Sequence, residues 1–597
     1  MKKEIPSDGK IFTLRRILQN AAGSIVVLLT FLLPVKFGTL AAMPEASGFF
    51  PEDWYSWLII NWPASSFGLF SGIALLLVLA AYGVPQISTL RGITGLLWTF
   101  SLPLAAAAGC INSPAPFYAE GECCHLLGIS AFCAAVWILL DKDFSGIWKK
   151  GLYCALAGGV LLLSVSGLRQ YFFGFAEMQE FIAAQQAKGV NISSVMLAKV
   201  ADTRVYALMV SANILAGFLL LTVPFSTTVF ARLGKHFEPQ KLSVRLFTAV
   251  MLLPGIAVFL MTKTRAAFLC ALITLGIFFF TLKFSKWIKA ALAAVILLTV
   301  IGGTYYIKTA GRGFGSLSER ADYMRTAAIM LPEKPLSGHG WGGFFYRHMK
   351  EKTTSTDESA HDPHNIFVSF ILHSGFPAGL PAAAAFLFPL VILFRRRQML
   401  LLEEKAILWG TVAFTLHCCC DINMQVPACL AGAGLLFIAA MPGEQLFTVK
   451  KIKIFQLLFF LLLTGLGILS FTTNRHSLAG EAAFTRFTDL LQTPSGAVPP
   501  SEQQIIRQWQ EVEKLRKNHP FACNILGDYF TAHGDLFRAE QLYQESLRRD
   551  PNRPAVYMRL AELALRNFDP GRAEELRKKA HSLFPTHPKY KKLDKTL

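Results

Sequence analysis

The residues best equipped for chemistry lie between positions 320 and 379, a polar, His-rich, Arg-containing segment set between two apolar stretches. It closes with "SAHDPHNIFVSFILHSGFPAGL". Asp362 is a good helix-capping residue, and Pro363 suits a first helical position, where its missing N–H leaves nothing unpaired. The pattern predicts a helix entering an apolar span, with His364 and Asn365 in its first turn. Free N–H groups and the positive dipole end at that point attract anions and disfavour an imidazolium. A neutral imidazole beside an anion-attracting surface can take a proton from a hydroxyl. A histidine that merely decorates an interfacial helix end would use the same residues.

Composition defines the setting. The 597 residues are 53% hydrophobic and 16% charged, with a mean hydropathy of +0.42. These values exclude an ordinary soluble domain for roughly the first 470 residues and predict an all-α, polytopic helical membrane protein. The formal charge of +19 does not call for nucleic acid. The Lys and Arg residues fall in short clusters between apolar spans, which is the positive-inside pattern. Eleven cysteines show no zinc-type spacing, and no metal or cofactor is expected. Cys110 with Cys123 or Cys124 could bridge two outer span ends; buried free thiols are the alternative.

Apolar runs predict about thirteen spans, near residues 21–40, 67–83, 92–110, 123–140, 151–168, from 205, 246–261, 266–282, 288–307, from 364, 406–420, 426–441 and 454–471. A basic flank puts the N-terminus in the cytoplasm with its first span retained, and "DKDFSGIWKK", "RLGKHFEPQK", "KFSKWIK", "RRR" and "KKIK" then share that side. "FAEMQEFIAAQQAKG" is amphipathic enough to lie along the membrane surface or pack on a partner helix. Lys263 and Arg265, in the short "TKTR" hairpin, fall on the outer face against the general charge bias. Holding an anion there and anchoring lipid headgroups are both consistent with that position.

Beyond about residue 473 the composition becomes that of a soluble domain, with a "TPSGAVPP" linker at 493–500. Leu526, Ala539 and Pro551 recur as Leu560, Ala573 and Pro585, at the 34-residue tetratricopeptide period. Gly527, Phe530 and Tyr543 supply the small and aromatic positions that let paired helices stack into an α-solenoid. The expected division is a membrane domain at 1–472 with a large outer loop at about 308–363, a linker and helix at 473–500, and repeats at 501–597. Such repeats bind a protein or peptide partner far more often than they catalyse.

From about 204 to 442 the chain resembles the O-antigen ligase superfamily, which includes O-antigen ligases, Wzy-type polymerases and protein O-oligosaccharyltransferases. His364, Asn365, nine residues and Gly375 are similar to the family's His-Asn signature, although Ala378 stands where Gly, Thr or Tyr usually closes it. "PLSGHGWGGFF", with Gly338 and Gly340, looks like the family's Gly-rich stretch. Arg320 in "SERADYMRTAAIML" and Arg265 in "TKTRAAF" fall where the family carries arginines. Arg204, Asn213, His417 and Asp421 match more loosely.

The resemblance implies a metal-independent, inverting glycosyltransferase in the bacterial inner membrane, with the C-terminal domain periplasmic. Its donor would be an undecaprenyl-diphosphate-linked glycan, and its acceptor lipid A core, a glycan or a protein. It also implies His364 as the catalytic base and Arg265, Arg320 and Arg204 as diphosphate-binding residues, because a guanidinium fork suits two phosphate oxygens. Asn365, Gly338, Gly340, Gly375 and Asp421 would support them. His339, His348, His361 and His373 compete for the role of base. A non-catalytic scaffold or an exporter subunit is the alternative from another class. An exporter would show ionisable residues in mid-span or paired broken helices, whereas these candidates gather at span ends.

Overall fold

The computed structural model describes the chain except residues 1–6, 42–49, 52, 188–196, 198–199, 238–239, 284, 292, 296, 299–314, 357–358, 448–452, 493–498, 518 and 592–597. The expected span at 288–307, the first part of the polar loop, "KKIK" and the "TPSGAVPP" linker lie partly outside the described residues.

Helices account for the regular structure, and no strand occurs among the described residues. The membrane part is built from α1 (Ser7–Lys36), α2 (Trp54–Ile59), α3 (Ala64–Tyr82), α4 (Leu90–Ile111), α5 (Pro116–Asp141), α6 (Ile147–Ala187), α7 (Ala212–Phe237), α8 (Lys241–Met261) and α9 (Arg265–Thr281). Two polar-segment helices follow, α10 (Gly315–Met330) and α11 (Gly343–Glu351), then α12 (Ile366–Arg395), α13 (Leu402–Cys418), α14 (Pro427–Ala440) and α15 (Lys453–Leu491). Nine of the described helices are long and apolar enough to cross a membrane, and α9 and α14 are shorter apolar helices.

The core lies around α5, whose side chains from Leu126 to Leu139 are almost all buried against α3, α4, α14 and α15. Close approach is a matter of small residues: a Cβ on Gly68 would collide with Asn474 of α15, and Ser470 donates to the Gly68 carbonyl at 2.8 Å. The periphery is apolar as well. On α8, Leu242, Leu246, Val250, Leu253, Ile256 and Leu260 are exposed at helical spacing, a face suited to lipid.

Two expectations change here. "FAEMQEFIAAQQA" continues α6 as one 41-residue helix through a π-turn at Gln170–Gly174, and is not a separate surface element. Its turn has a use, because Gln170 Oε1 accepts from the N–H groups of Tyr206 (3.0 Å) and Ala207 (2.8 Å). The span expected from 205 begins at Ala212. Left-handed residues at Thr203 (φ 49°) and Ala207 (φ 50°) prevent an earlier start, and the intervening chain bonds outwards, Val205 N to Met261 O and Val210 N to Gly38 O.

At the C-terminal end α15 runs unbroken through 39 residues and packs on α16 (Glu502–Leu515). The pairs α17 (Pro520–Ala532) with α18 (Leu536–Arg549), and α19 (Pro554–Arg566) with α20 (Pro570–Leu583), follow, and α21 (Pro588–Lys591) ends the described chain. Tyr543 fills the space beside Gly527, where a Cβ would clash with its ring, and Leu526, Phe530, Ala539 and Leu560 share the same core.

Candidate functional site

The candidate residues fall in separate groups at the end of the bundle that carries the polar segment. Asn365, rather than Asp362, is the N-cap of α12: its Oδ1 accepts from Phe367 N (3.1 Å) and Val368 N (3.3 Å). Such a cap stabilises a helix by about 1 kcal/mol. His364 therefore lies just before the helix, in the left-handed region at φ 58°, and not in its first turn. Asp362 holds that conformation from behind. Its Oδ1 accepts from His364 N at 2.9 Å and from Ser369 Oγ at 2.6 Å, and Oδ2 lies 3.7 Å from His373 Nε2. A non-glycine residue in this region costs about 1–2 kcal/mol.

The His364 ring leans on Tyr323 of α10, with centroids 4.7 Å apart. Its Nδ1 is buried with no hydrogen-bond partner among the described residues. Burial lowers its pKa below the ordinary 6.5; the charges of Asp421 and Asp362 oppose that shift and Arg320 adds to it. A neutral imidazole with an unused ring nitrogen has the chemistry of a proton acceptor.

Arg320, on α10, is fixed by the end of α13. Its Nε donates to the Cys420 carbonyl at 2.8 Å and its Nη2 lies 3.3 Å from Asp421 Oδ2. Asp421 is 3% exposed and Arg320 24%, so the guanidinium keeps a route to solvent while its counter-charge is sealed. Asp421 Oδ1 accepts from Ile422 N at 2.9 Å, which fixes the carboxylate.

Arg204 and Arg265 belong to a second group: Arg265 closes the hairpin between α8 and α9, and Arg204, in the segment before α7, bonds to that hairpin. Arg204 donates to the Thr262 carbonyl (3.0 Å), Asn213 Oδ1 (2.7 Å) and Thr264 Oγ1 (3.1 Å). It is thus committed to bracing the hairpin. Lys263, at φ 51°, turns its ammonium back onto Asp202 O and Thr203 Oγ1. Arg265 is the first residue of α9, is exposed, and makes no ion pair or hydrogen bond among the described residues. A free cation at a helix N-terminus is electrostatically unfavourable until an anion arrives. The two groups are joined through packing: Ala267 and Cys270 of α9 meet Leu416 and Cys420 beside the Arg320 anchor.

Four non-glycine residues with positive φ, Thr203, Ala207, Lys263 and His364, fall in these two groups. Backbone strain concentrated in this way is a mark of a site that the surrounding structure holds in place.

The glycines serve a splice. Gly375 breaks α12 at φ 74°, and Pro377, lacking an N–H, leaves the His373 carbonyl open. Gly340 N donates to that carbonyl (3.0 Å), His339 N to Leu372 O (2.8 Å), and Phe376 N to Pro335 O (2.8 Å). Gly338 and Gly375 meet so closely that a Cβ on either would strike backbone of the other's strand of chain. The Gly-rich segment therefore satisfies the broken helix, and those N–H groups are already engaged.

The competing histidines are placed apart by their partners. His373 Nδ1 bonds to the Gly340 carbonyl, His339 Nε2 to the Met330 carbonyl, and His348 Nδ1 to Ser359 Oγ. His361 is sandwiched between Tyr118 and Phe345, with ring centroids 5.4 Å and 4.2 Å away. His417 Nδ1 meets Asn423 Nδ2 at 2.7 Å. Sequence reasoning passed over Tyr323 and the anchoring role of Asp362. The first stands three residues from Arg320 on α10, a helical neighbour that could have been noticed; the second became visible only with the left-handed turn.

Below Arg265, α7, α8, α9 and α13 enclose an apolar groove of about 370 Å³, lined by residues including Leu220, Val223, Phe259, Leu275, Phe278 and Trp409. Its lining is suited to a hydrocarbon chain.

Residues 247–383 match the family model Wzy_C, described as O-antigen ligase. The match takes in Arg265, Arg320, Gly338, Gly340, His364, Asn365 and Gly375, and leaves Arg204 and Asp421 outside. No curated protein matches the chain.

Proposed function

From the match of residues 247–383 to the O-antigen ligase family model, we propose an enzyme that transfers a glycan from an undecaprenyl-diphosphate carrier to an acceptor hydroxyl at the periplasmic face of the inner membrane. The observation that carries this reading is the pairing of a strained, neutral His364 with two cationic arrangements at the same end of the bundle, one of them an exposed Arg265 above an apolar groove.

In this mechanism the isoprenoid tail occupies the groove and the diphosphate lies over Arg265 and Arg320. Arg204 acts one step back, by stiffening the hairpin that presents Arg265. The acceptor hydroxyl gives its proton to His364 as its oxygen forms a bond to the anomeric carbon. The bond from that carbon to the diphosphate oxygen breaks, the configuration inverts, and the arginines stabilise the leaving charge. Arginine is the residue for this task because its fork meets two phosphate oxygens at once. The helix pairs beyond residue 500 are read as tetratricopeptide-like repeats that receive a protein partner or acceptor, and lipid A core, a glycan and a protein are the acceptors under consideration.

The test is the fate of lipid-linked glycan in cells carrying the wild type or His364→Ala, separated into carrier-bound, lipopolysaccharide and protein fractions. Accumulation on the carrier with loss from one fraction is expected, and that fraction identifies the acceptor. An unchanged distribution, with the variant present in the membrane and no redundant enzyme, would refute transfer by this site.

A further inference from the structure

A pair of sulfurs lies between the two cationic groups. Cys270 stands on α9 beyond Arg265, about 8 Å along the helix axis, and is buried. Cys420 follows the end of α13, is half-buried, and packs in the same small cluster as Cys270. Both stand as free thiols, in hydrogen-bonding contact with each other. The Cys420 carbonyl is the acceptor that anchors Arg320 Nε at 2.8 Å, and Asp421, the carboxylate facing the same guanidinium, comes next. One sulfur is thus carried by the helix that presents Arg265, and the other by the turn that fixes Arg320.

The pairing is selective. Three cysteines stand in a row at 418–420, and their side chains are engaged differently. Cys418 is fully buried and receives Asn423 Nδ2 at 3.7 Å, while Cys419 Sγ donates to the Thr415 carbonyl at 3.3 Å. Cys420 is the one whose thiol meets Cys270. No third His, Cys, Asp or Glu completes a set of metal ligands with them among the described residues, so the chemistry open to the pair is that of two thiols. A like contact between Cys110 and Cys123 spans only the turn between α4 and α5. A bond from 270 to 420 would instead close a loop that contains α10, α11 and α12, with Arg320 and His364 inside it.

We propose that Cys270 and Cys420 form a disulfide that ties the helix bearing Arg265 to the anchor of Arg320 and holds the two cations at a fixed separation. The oxidant is a thiol-oxidising protein of the cell envelope that carries its own disulfide. The more accessible Cys420, as thiolate, attacks one sulfur of that disulfide and expels the other as thiolate. Cys270, as thiolate, then attacks Cys420 Sγ in the mixed disulfide and expels the second. Two thiols of this chain lose two protons and two electrons, and the oxidant leaves as a dithiol. The oxidising setting and the benefit to a diphosphate rest on the transfer reading given above; the choice of partners does not.

Cells making the full-length protein, quenched in acid and alkylated in detergent with N-ethylmaleimide, then digested without reductant, give the test by mass spectrometry. A peptide pair joining Cys270 to Cys420 is expected, and it should disappear with dithiothreitol. Recovery of both residues as alkylated thiols, or a bridge from Cys270 to Cys418 or Cys419, would overturn the proposal. In nanodiscs, dithiothreitol should raise the KM for carrier-linked donor about threefold or more while kcat changes less, because the loss is one of donor positioning. Cys270→Ala should show the raised KM without reductant and no further response to it. An unaltered KM on reduction, or an equal response in Cys270→Ala, would sink the positioning role. If the bridge is present while His364→Ala still transfers glycan normally, the transfer reading falls and the disulfide stands. If transfer needs His364 and both thiols are free, the disulfide alone falls.

Discussion

The imidazole of His364 is held below its ordinary pKa of 6.5 by burial, which sets the direction of its pH response. The neutral form persists below pH 6.5, so kcat/KM for transfer should stay level through neutrality and fall only at a pH below 6.5. An acid limb centred above 6.5 would exclude His364 as the base. Its replacement by Ala is expected to reduce transfer by about 10²–10⁴-fold with normal membrane insertion, measured with purified carrier-linked donor. Arg320→Lys keeps the charge but cannot reach both the Cys420 carbonyl and a phosphate, and a loss of about tenfold or more in transfer is expected. These residue types and spacings were legible: His364, Arg265 and Arg320 could all be picked out from the chain alone. Their partners were not. The Arg320–Asp421 contact joins positions 101 residues apart, and the commitment of Arg204 to the α8–α9 hairpin, 58 residues further on, depends on tertiary geometry.

At the scale of elements, the break in α12 carries the clearest stability prediction. Gly375→Ala places a Cβ against the Leu336 carbonyl and forces a positive φ on alanine. A loss of about 2–4 kcal/mol is expected by thermal unfolding in nanodiscs. The pH dependence of stability has a definite sign as well. Burial holds His348 and His361 at about 4, against an ordinary 6.5. The unfolded chain therefore takes up protons between pH 6.5 and 4 that the folded chain refuses, so stability is full above 6.5 and is lost as pH falls through that window. The Tm should drop across that range, and His361→Phe should reduce the drop. Helices were predictable from apolar length, but their ends were less so. Asp362 and Pro363 are both good starting residues, yet the left-handed His364 moved the start to Ile366, and tertiary bonds to the Gly340 and His339 amides made a mid-helix glycine tolerable.

For the molecule as a whole, the repeat pairs behave as a second wall of the polar segment. Their removal from residue 500 onward should expose Phe345, Tyr346 and Met349 and increase amide exchange across α11, with acceptor use impaired more than donor binding. Unchanged exchange over residues 343–361 would contradict that seating. The 34-residue recurrence announced these helix pairs, whereas nothing in it foretold what they would rest on, because the contact joins surfaces far apart in sequence. Helix α15 makes the connection. At 1.5 Å per residue its 39 residues extend about 58 Å, well beyond a hydrocarbon core of about 30 Å. Such a shaft transmits azimuth. One residue inserted beyond position 474 would swivel everything past it by about 100° and swing Phe584 and Tyr590 away from Met349, while seven would nearly restore the bearing yet hoist the repeat pairs by about 10 Å. The angular setting of the contact between the repeat pairs and the polar segment would then be recorded in the length of a single helix, as a key's cut is recorded in its depth.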